Sequence, residues 1–216
     1  MTGRSQVDSG FATSFEWGLV WTSIVAVERV VLHSGSVPMR GFMLNGFEKF
    51  ARHRLGWDLA TEESAGRDCR GAKRPGSWER VAFEDFWVRV EQTVQQSGVA
   101  AQDLLRDYGR EMFQTLVHLP LRRPVTHDLF QFLQAIEAEM FPELDELVED
   151  LDLPALGCQR LSGQALELVY VSSRKLGDLA EGLILGSIEH FQERVQLRRI
   201  DAAGDPGRVT FVLTRD

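Results

Sequence analysis

The spacing of apolar residues changes at Pro154, and this change is the strongest constraint on the fold. Before Pro154, apolar side chains recur at steps of three and four residues, the spacing of one face of an α-helix. After Pro154 they alternate, as they do along a strand with one buried face. The strand candidates are 166–172, 194–199 and 208–214, with a buried helix around 176–191 between the first two. This order predicts an α+β fold, with a mostly helical lobe over 39–153 and a sheet-containing lobe over 154–216.

The helical lobe should contain two core-facing helices that are separated near Ser97-Gly98, where glycine favours a break. A third and longer helix should begin near Thr126, a residue type that often caps helix N-termini. Pro142 should kink this helix close to Phe141, because proline lacks a backbone N–H and crowds the preceding turn.

Residues 1–38 differ from the rest of the chain, since Ser, Gly and Thr surround one apolar patch. We expect either an N-terminal extension or a start that belongs at Met39, where an amphipathic pattern begins. Glu28 and Arg29 end the apolar patch too early for a membrane span. The flanks of the patch do not have the pattern of a signal peptide.

The overall composition excludes several classes of protein. The formal net charge of −8 argues against non-specific nucleic-acid binding, which needs a basic surface. Two cysteines, Cys69 and Cys158, form neither a disulfide framework nor a CxxC metal motif, so we expect a cytoplasmic protein. The chain has no glycine-rich phosphate loop, Gly-x-Ser-x-Gly or His-Glu-x-x-His motif, so we do not expect an enzyme.

The spacing Gly182-x-x-x-Gly186 is typical of helices that pack closely. In a membrane it would favour helix dimers, but Asp178, Glu181 and Glu189 surround it here. It therefore predicts close helix packing in a soluble core, and we expect no membrane association.

Tyr170, Ser172 and Arg174, here called the clamp motif, are spaced two residues apart in a predicted strand. On an extended strand this spacing puts the phenol, the hydroxyl and the guanidinium on one face. Arginine can bind a carboxylate through two parallel hydrogen bonds, and the two hydroxyls can add further donors. The alternative is a solvated strand face on which Arg174 pairs with a nearby glutamate.

The clamp motif resembles the Tyr-x-Ser-x-Arg motif of the H-NOX family, the heme nitric-oxide/oxygen-binding domains. Other stretches resemble the same family in the same order: Met39-Arg-Gly, Leu104-Leu-Arg-Asp-Tyr-Gly-Arg-Glu-Met-Phe113, and 179–191. The resemblance covers about 39–214. It implies a helical lobe closed over a heme by a lobe of antiparallel strands and helices, with the clamp motif on the heme propionates.

The resemblance also implies one axial histidine on the long helix, but Phe141 stands at the matching position. Pro154 follows Phe141 by thirteen residues, which is the family's spacing from the histidine to a proline that packs against the heme. Phenylalanine cannot ligate iron. The pocket implied by the resemblance is thus lined by Phe42, Phe141 and Pro154 and lacks its usual axial donor.

Two other residues are candidate iron ligands. His118 lies at a helix end, where a surface or capping role is usual. Cys158 could bind heme iron as a thiolate, although a buried cysteine is more often a small apolar side chain. His127 lies about 21 Å from Phe141 along a helix, which is too far for ligation unless the helix is broken.

The leading hypothesis is a non-enzymatic H-NOX-like sensor or ligand-binding protein whose pocket holds heme, as its cofactor, or a related carboxylated hydrophobic group. The resemblance implies nitric oxide sensing, but without the axial histidine no signal can come from cleavage of an iron–histidine bond. Such a sensor would act through a separate signalling protein, because the chain has no room for a cyclase or kinase domain. The rival is a cofactor-free interaction module on the same fold, which would use the acidic run 137–152 to bind a partner. That run could also meet the basic 67–80 loop of another copy and form a homo-oligomer. A third hypothesis is a ligand-gated adaptor for another hydrophobic carboxylate.

Overall fold

The computed structural model describes residues 38–56, 79–117, 126–140 and 154–216. The helices are α1 Gly41–Leu55, α2 Phe83–Ser97, α3 Ala101–Leu116, α4 Leu129–Ala135 and α5 Gly177–Phe191. The strands are β1 Pro38–Arg40, β2 Arg80–Ala82, β3 Ala155–Arg160, β4 Ala165–Val171, β5 Val195–Asp201 and β6 Arg208–Arg215. None of the helices within these ranges combines the length and hydropathy that a membrane span requires. The expected extension falls, apart from Pro38, outside the described residues.

The helical lobe packs α1, α2 and α3 around a cluster of aromatic side chains. The ring of Phe47 lies 5.4 Å from the rings of Phe86 and Tyr108. The hydroxyl of Tyr108 donates to the carbonyl oxygen of Met43 at 2.8 Å, which fixes α3 against α1. The predicted break between α2 and α3 is confirmed, because Gly98 ends α2 with a left-handed φ of 71° that glycine adopts readily.

The third predicted helix is α4, and it begins close to the predicted position. Its cap is Asp128 and not Thr126, since the Asp128 carboxylate accepts the N–H of Gln131 at 2.9 Å. The Thr126 hydroxyl instead accepts the N–H of Asp128 at 3.0 Å and orders the turn before the helix. After α4 the hydrogen bonding widens into a π-helical turn, Ile136–Met140. The predicted kink near Phe141 lies outside the described residues.

The four-stranded sheet is antiparallel and has the order β3-β4-β6-β5. In the middle strand β4, Leu166, Leu168 and Tyr170 point to the same face and are buried. The partly buried apolar residues of α5 pack against the same cluster. The sequence did not predict β3, which is an edge strand of only half-buried or exposed residues.

Helices α3 and α5 touch backbone to backbone. A Cβ at Gly182 would overlap the carbonyl group of Arg106 and lie 2.9 Å from the Cα of Gly109. A Cβ at Gly186 would lie 2.9 Å from the Cβ of Phe113. The two glycines of the Gly182-x-x-x-Gly186 spacing therefore face α3, which confirms the predicted close helix packing.

Candidate functional site

The clamp motif occupies the end of β4 and the turn that follows it. Strand β4 ends at Val171, so of the three residues only Tyr170 belongs to the strand. The prediction that all three side chains project from one strand face is therefore wrong. The reason is local: the Ser172 hydroxyl accepts the N–H of Arg174 at 3.2 Å, and the Ser172 carbonyl accepts the N–H of Lys175 at 3.1 Å. These bonds bend the chain into a turn before alternation can reach Arg174.

Tyr170 places its phenol on the inner face of the sheet. It is only 7% exposed and pairs with Leu156 on one side and Val209 on the other. It belongs to the buried cluster that also contains Leu168 and Ala180. Arg174, in the turn, is half-buried. A buried phenol and a half-buried arginine thus stand four residues apart, at the end of β4 and in the turn that follows it.

The turn over 172–175, here called the clamp turn, is fixed at its first end by Gly207, the residue directly before β6. The N–H of Ser172 donates to the carbonyl oxygen of Gly207 at 2.9 Å. A Cβ at Gly207 would lie 2.7 Å from the carbonyl oxygen of Ser172, so the two chain segments are in direct backbone contact. The position of Ser172 is therefore set by the sheet.

A group of charged residues surrounds the other end of the turn, where α5 begins. Arg199 of β5 binds Asp178 of α5, and its Nη1 lies 2.9 Å from the Oε2 of Glu181. Its Nη2 lies 2.8 Å from the Oδ1 of Asp201. From α3, the Nε of Arg106 lies 3.1 Å from the Oε1 of Glu181. We call Arg106, Asp178, Glu181, Arg199 and Asp201 the α5 ion-pair network.

Sequence reasoning missed Arg199, although the sequence contains a signal for it. Val195, Leu197 and Arg199 alternate along β5, and the register places all three on the inner face of the sheet. An arginine at an inner-facing position must find carboxylate partners, because an unpaired buried charge is costly. That pattern would have marked Arg199 as part of a charged cluster.

Of the other predicted site residues, the structure describes Phe42 and Pro154 but not Phe141 or His118. Phe42 packs against the buried cluster of the helical lobe, whereas Tyr170 belongs to the cluster of the sheet. Leu183 of α5 packs against both clusters. Pro154 is half-buried directly before β3. Phe141 and His118 lie outside the described residues.

Cys158 lies half-buried on β3, and its N–H donates to the Oε2 of Glu137 in the π-helical turn at 3.1 Å. Burial, together with the nearby Glu137 carboxylate, raises the pKa of the Cys158 thiol to about 12. Burial also raises the pKa of the Glu137 carboxyl group. This effect outweighs the hydrogen bond from the Cys158 N–H, which by itself would lower that pKa. Without a metal the thiol is therefore neutral near pH 7, so binding iron as a thiolate would require loss of its proton.

Three histidines lie in the described part of the chain, and all of them are exposed: His53, His127 and His190. The ring of His190 packs edge-on against Phe113 at 5.7 Å, at the surface end of α5. Within the described ranges, no group of three or more His, Cys, Asp or Glu side chains could hold a metal ion. The described residues therefore supply no histidine that points into the core.

The sequence profile of the family HNOB, Haem-NO-binding, matches residues 40–199. The chain belongs to this family, the H-NOX family, and its resemblance to it is confirmed. No curated protein sequence matches the chain significantly.

Solved H-NOX structures share the fold. A point mutant of the K. algicida H-NOX protein, in the unliganded Fe(II) state, is 20% identical, with a TM-score of 0.70 over 82% of this chain and 97% of that chain. The S. oneidensis H-NOX protein in the Fe(II)NO state is 21% identical, with a TM-score of 0.64 over 82% and 99%. A point mutant of T. tengcongensis H-NOX is 21% identical, with a TM-score of 0.67 over 82% and 98%. The predicted α+β fold is thereby confirmed.

Proposed function

We propose that this chain is a cytoplasmic, non-enzymatic heme-binding sensor in which Tyr170, Ser172 and Arg174 hold the carboxylates of the bound group. The observation that most supports this is the buried Tyr170 at the end of β4, followed four residues later by the half-buried Arg174 in the adjoining turn. Membership of the Haem-NO-binding family supports the same ligand. The S. oneidensis relative was solved with iron and nitric oxide bound.

The chemistry of these residues supports a ligand with a carboxylate end. Arg174 offers a charged fork for a carboxylate, and partial burial strengthens that interaction relative to one in water. Leu156 and Leu168 extend the apolar surface on either side of Tyr170. A hydrophobic group with one charged edge matches this arrangement.

The axial side of the site does not fit an ordinary H-NOX protein. Phe141 takes the position of the axial histidine in our proposal, and the described histidines are exposed. Heme, when bound, would supply an iron that takes up a diatomic gas. This chain would retain the group by apolar burial and by carboxylate pairing, so we expect weak binding and no signal from breakage of an iron–histidine bond.

A second candidate function is a cofactor-free interaction module. The ring of Phe132 on α4 lies 5.9 Å from Phe113 on α3 and 5.1 Å from Phe191 at the end of α5. These ring contacts join α4 to α3 and α5 through the chain's own side chains. In either case we propose that the chain acts through a separate signalling protein, with a second copy of the chain as the alternative partner.

Titration of the purified chain with hemin tests the first proposal. We expect a saturable Soret band, and Arg174→Ala should weaken hemin binding about tenfold or more, because it removes charge-assisted hydrogen bonds. Arg198→Ala is the matched control, since this exposed arginine lies on the outer face of β5. It should bind hemin like the parent. Absence of saturable binding in the parent would leave the interaction module as the better function.

Phe141→His should restore the missing axial donor. Neutral imidazole is a strong axial ligand for heme iron, so we expect tighter hemin binding than in the parent and a five-coordinate ferrous spectrum that changes on addition of nitric oxide. Optical spectroscopy of the reduced protein measures this. Phe141→Leu is the control, because it changes the same position without adding a donor. Equal spectra for the two variants would show that Phe141 does not occupy the axial position.

A further inference from the structure

The N-cap residue of α5 makes no side-chain hydrogen bond to the helix, as is also true of α2 and α3. Leu176 occupies the N-cap position, and among the described residues no side chain caps the helix. The first turn therefore lacks the hydrogen bonds by which Ser, Thr, Asp or Asn usually fix a helix N-terminus. Its position must come from contacts further along the helix or across the sheet.

Those contacts come from the strands β5 and β6. A Cβ at Gly177 would lie 2.7 Å from the Cγ2 of Val209 and 3.3 Å from the Nη2 of Arg199. Arg199 binds Asp178, the next residue of α5, and reaches Glu181 one turn later. One guanidinium on the sheet thus holds both the first and the second turn of the helix.

The clamp turn is held in place at both of its ends. The first end is held by the backbone pairing of Ser172 with Gly207, and the second by the start of α5. Arg174 lies between them. A shift of the first turn of α5 would therefore move Arg174 relative to Tyr170, which β4 keeps in place.

We propose that Arg199 is a positioning residue for the carboxylate clamp: it fixes the first turn of α5 and thereby sets the place of Arg174. This inference rests on the proposed function, because it concerns the same carboxylate-binding site. Arg199 itself does not touch the ligand. Its partners Asp178, Glu181 and Asp201 already occupy the guanidinium.

The test compares two iron porphyrins, hemin and hemin dimethyl ester, in which both carboxylates are methylated. We expect Arg199→Met to raise the Kd for hemin about tenfold, the lower end of the range for loss of an orienting partner. The Kd for the dimethyl ester should stay unchanged, because that ligand does not use the clamp. A merely structural role of Arg199 would weaken both ligands equally.

Arg106→Met is the matched control. It removes another arginine that binds Glu181, but from α3 and not from the sheet beside the clamp turn. Its ratio of the two dissociation constants should equal that of the parent. Asp178→Asn is a second test, because it removes the ion pair between Arg199 and the first turn of α5 while Arg199 itself remains. This variant should show the same selective rise in the Kd for hemin, even if Arg199→Met does not fold.

The outcomes separate the two proposals. If Arg174→Ala loses the preference for hemin but Arg199→Met and Asp178→Asn keep it, the positioning role is wrong and the clamp stands. If the parent and Arg174→Ala bind hemin and its dimethyl ester alike, no carboxylate clamp exists, and both proposals are overturned. A selective loss in Arg199→Met or Asp178→Asn, with Arg106→Met like the parent, supports both.

Discussion

Replacement of Glu48 by leucine should lower the free energy of unfolding by about 3–5 kcal/mol, the usual effect of removing one partner of a buried ion pair. The Oε1 of Glu48 on α1 lies 2.8 Å from the Nε of Arg89 on α2, and the two side chains are only 4% and 5% exposed. Without Glu48, the guanidinium charge stays buried beside the aromatic cluster of the helical lobe. Urea unfolding of the ligand-free chain measures the change.

Two further variants make this prediction specific. Glu91→Leu removes an exposed carboxylate from α2 and should change the stability by no more than about 0.5 kcal/mol. The double variant Glu48→Leu with Arg89→Met should recover most of the loss, because an apolar pair of similar volume has no charge to leave uncompensated. If Glu48→Leu were no more harmful than Glu91→Leu, the ion pair would not contribute to the helical lobe.

Gly182→Ala should destabilise the chain by about 3 kcal/mol, the upper end of the usual range for overpacking. The added methyl group would overlap the backbone of Arg106, which cannot move aside as a flexible side chain can. Helices α3 and α5 would have to separate, and the aromatic and aliphatic contacts between them would weaken. Thermal unfolding monitored by circular dichroism measures the loss.

Gly163→Ala is the control for this variant. A Cβ at Gly163, in the turn between β3 and β4, would meet nothing within 4 Å. Alanine there also restricts the unfolded chain, so we expect an unchanged or slightly higher melting temperature. Similar melting temperatures for the two alanine variants would mean that the close approach of α3 and α5 does not limit stability.

The sequence predicted the regular elements well wherever local patterns decide them. The break at Gly98 and the strands β4, β5 and β6 follow from glycine conformation and from alternation. Strand β3 has no clear sequence pattern, because it is short, lies at the sheet edge and contains no fully buried residue. Its pairing with β4 is a tertiary contact that no local pattern reveals.

The sequence predicted the strand that carries Tyr170 but not the shape of the segment that follows it. Strand alternation places Tyr170 correctly, but it fails at Ser172, whose hydroxyl bonds to the backbone two residues on and turns the chain. The pairing of Arg199 with α5 and of Glu48 with Arg89 brings together residues far apart in the sequence. Such pairs depend on how elements pack, so a single sequence gives no register for them.

The π-helical turn Ile136–Met140 affects how positions are matched between relatives. A π turn holds one residue more than an α-helical turn of the same height, so a chain can gain or lose a residue there while both helix ends stay in place. Residues counted forward from α4 cross this turn, whereas residues counted back from Pro154 to Phe141 do not. For a relative with a regular α-helical turn at this place, the two directions of counting would therefore assign positions that differ by one residue.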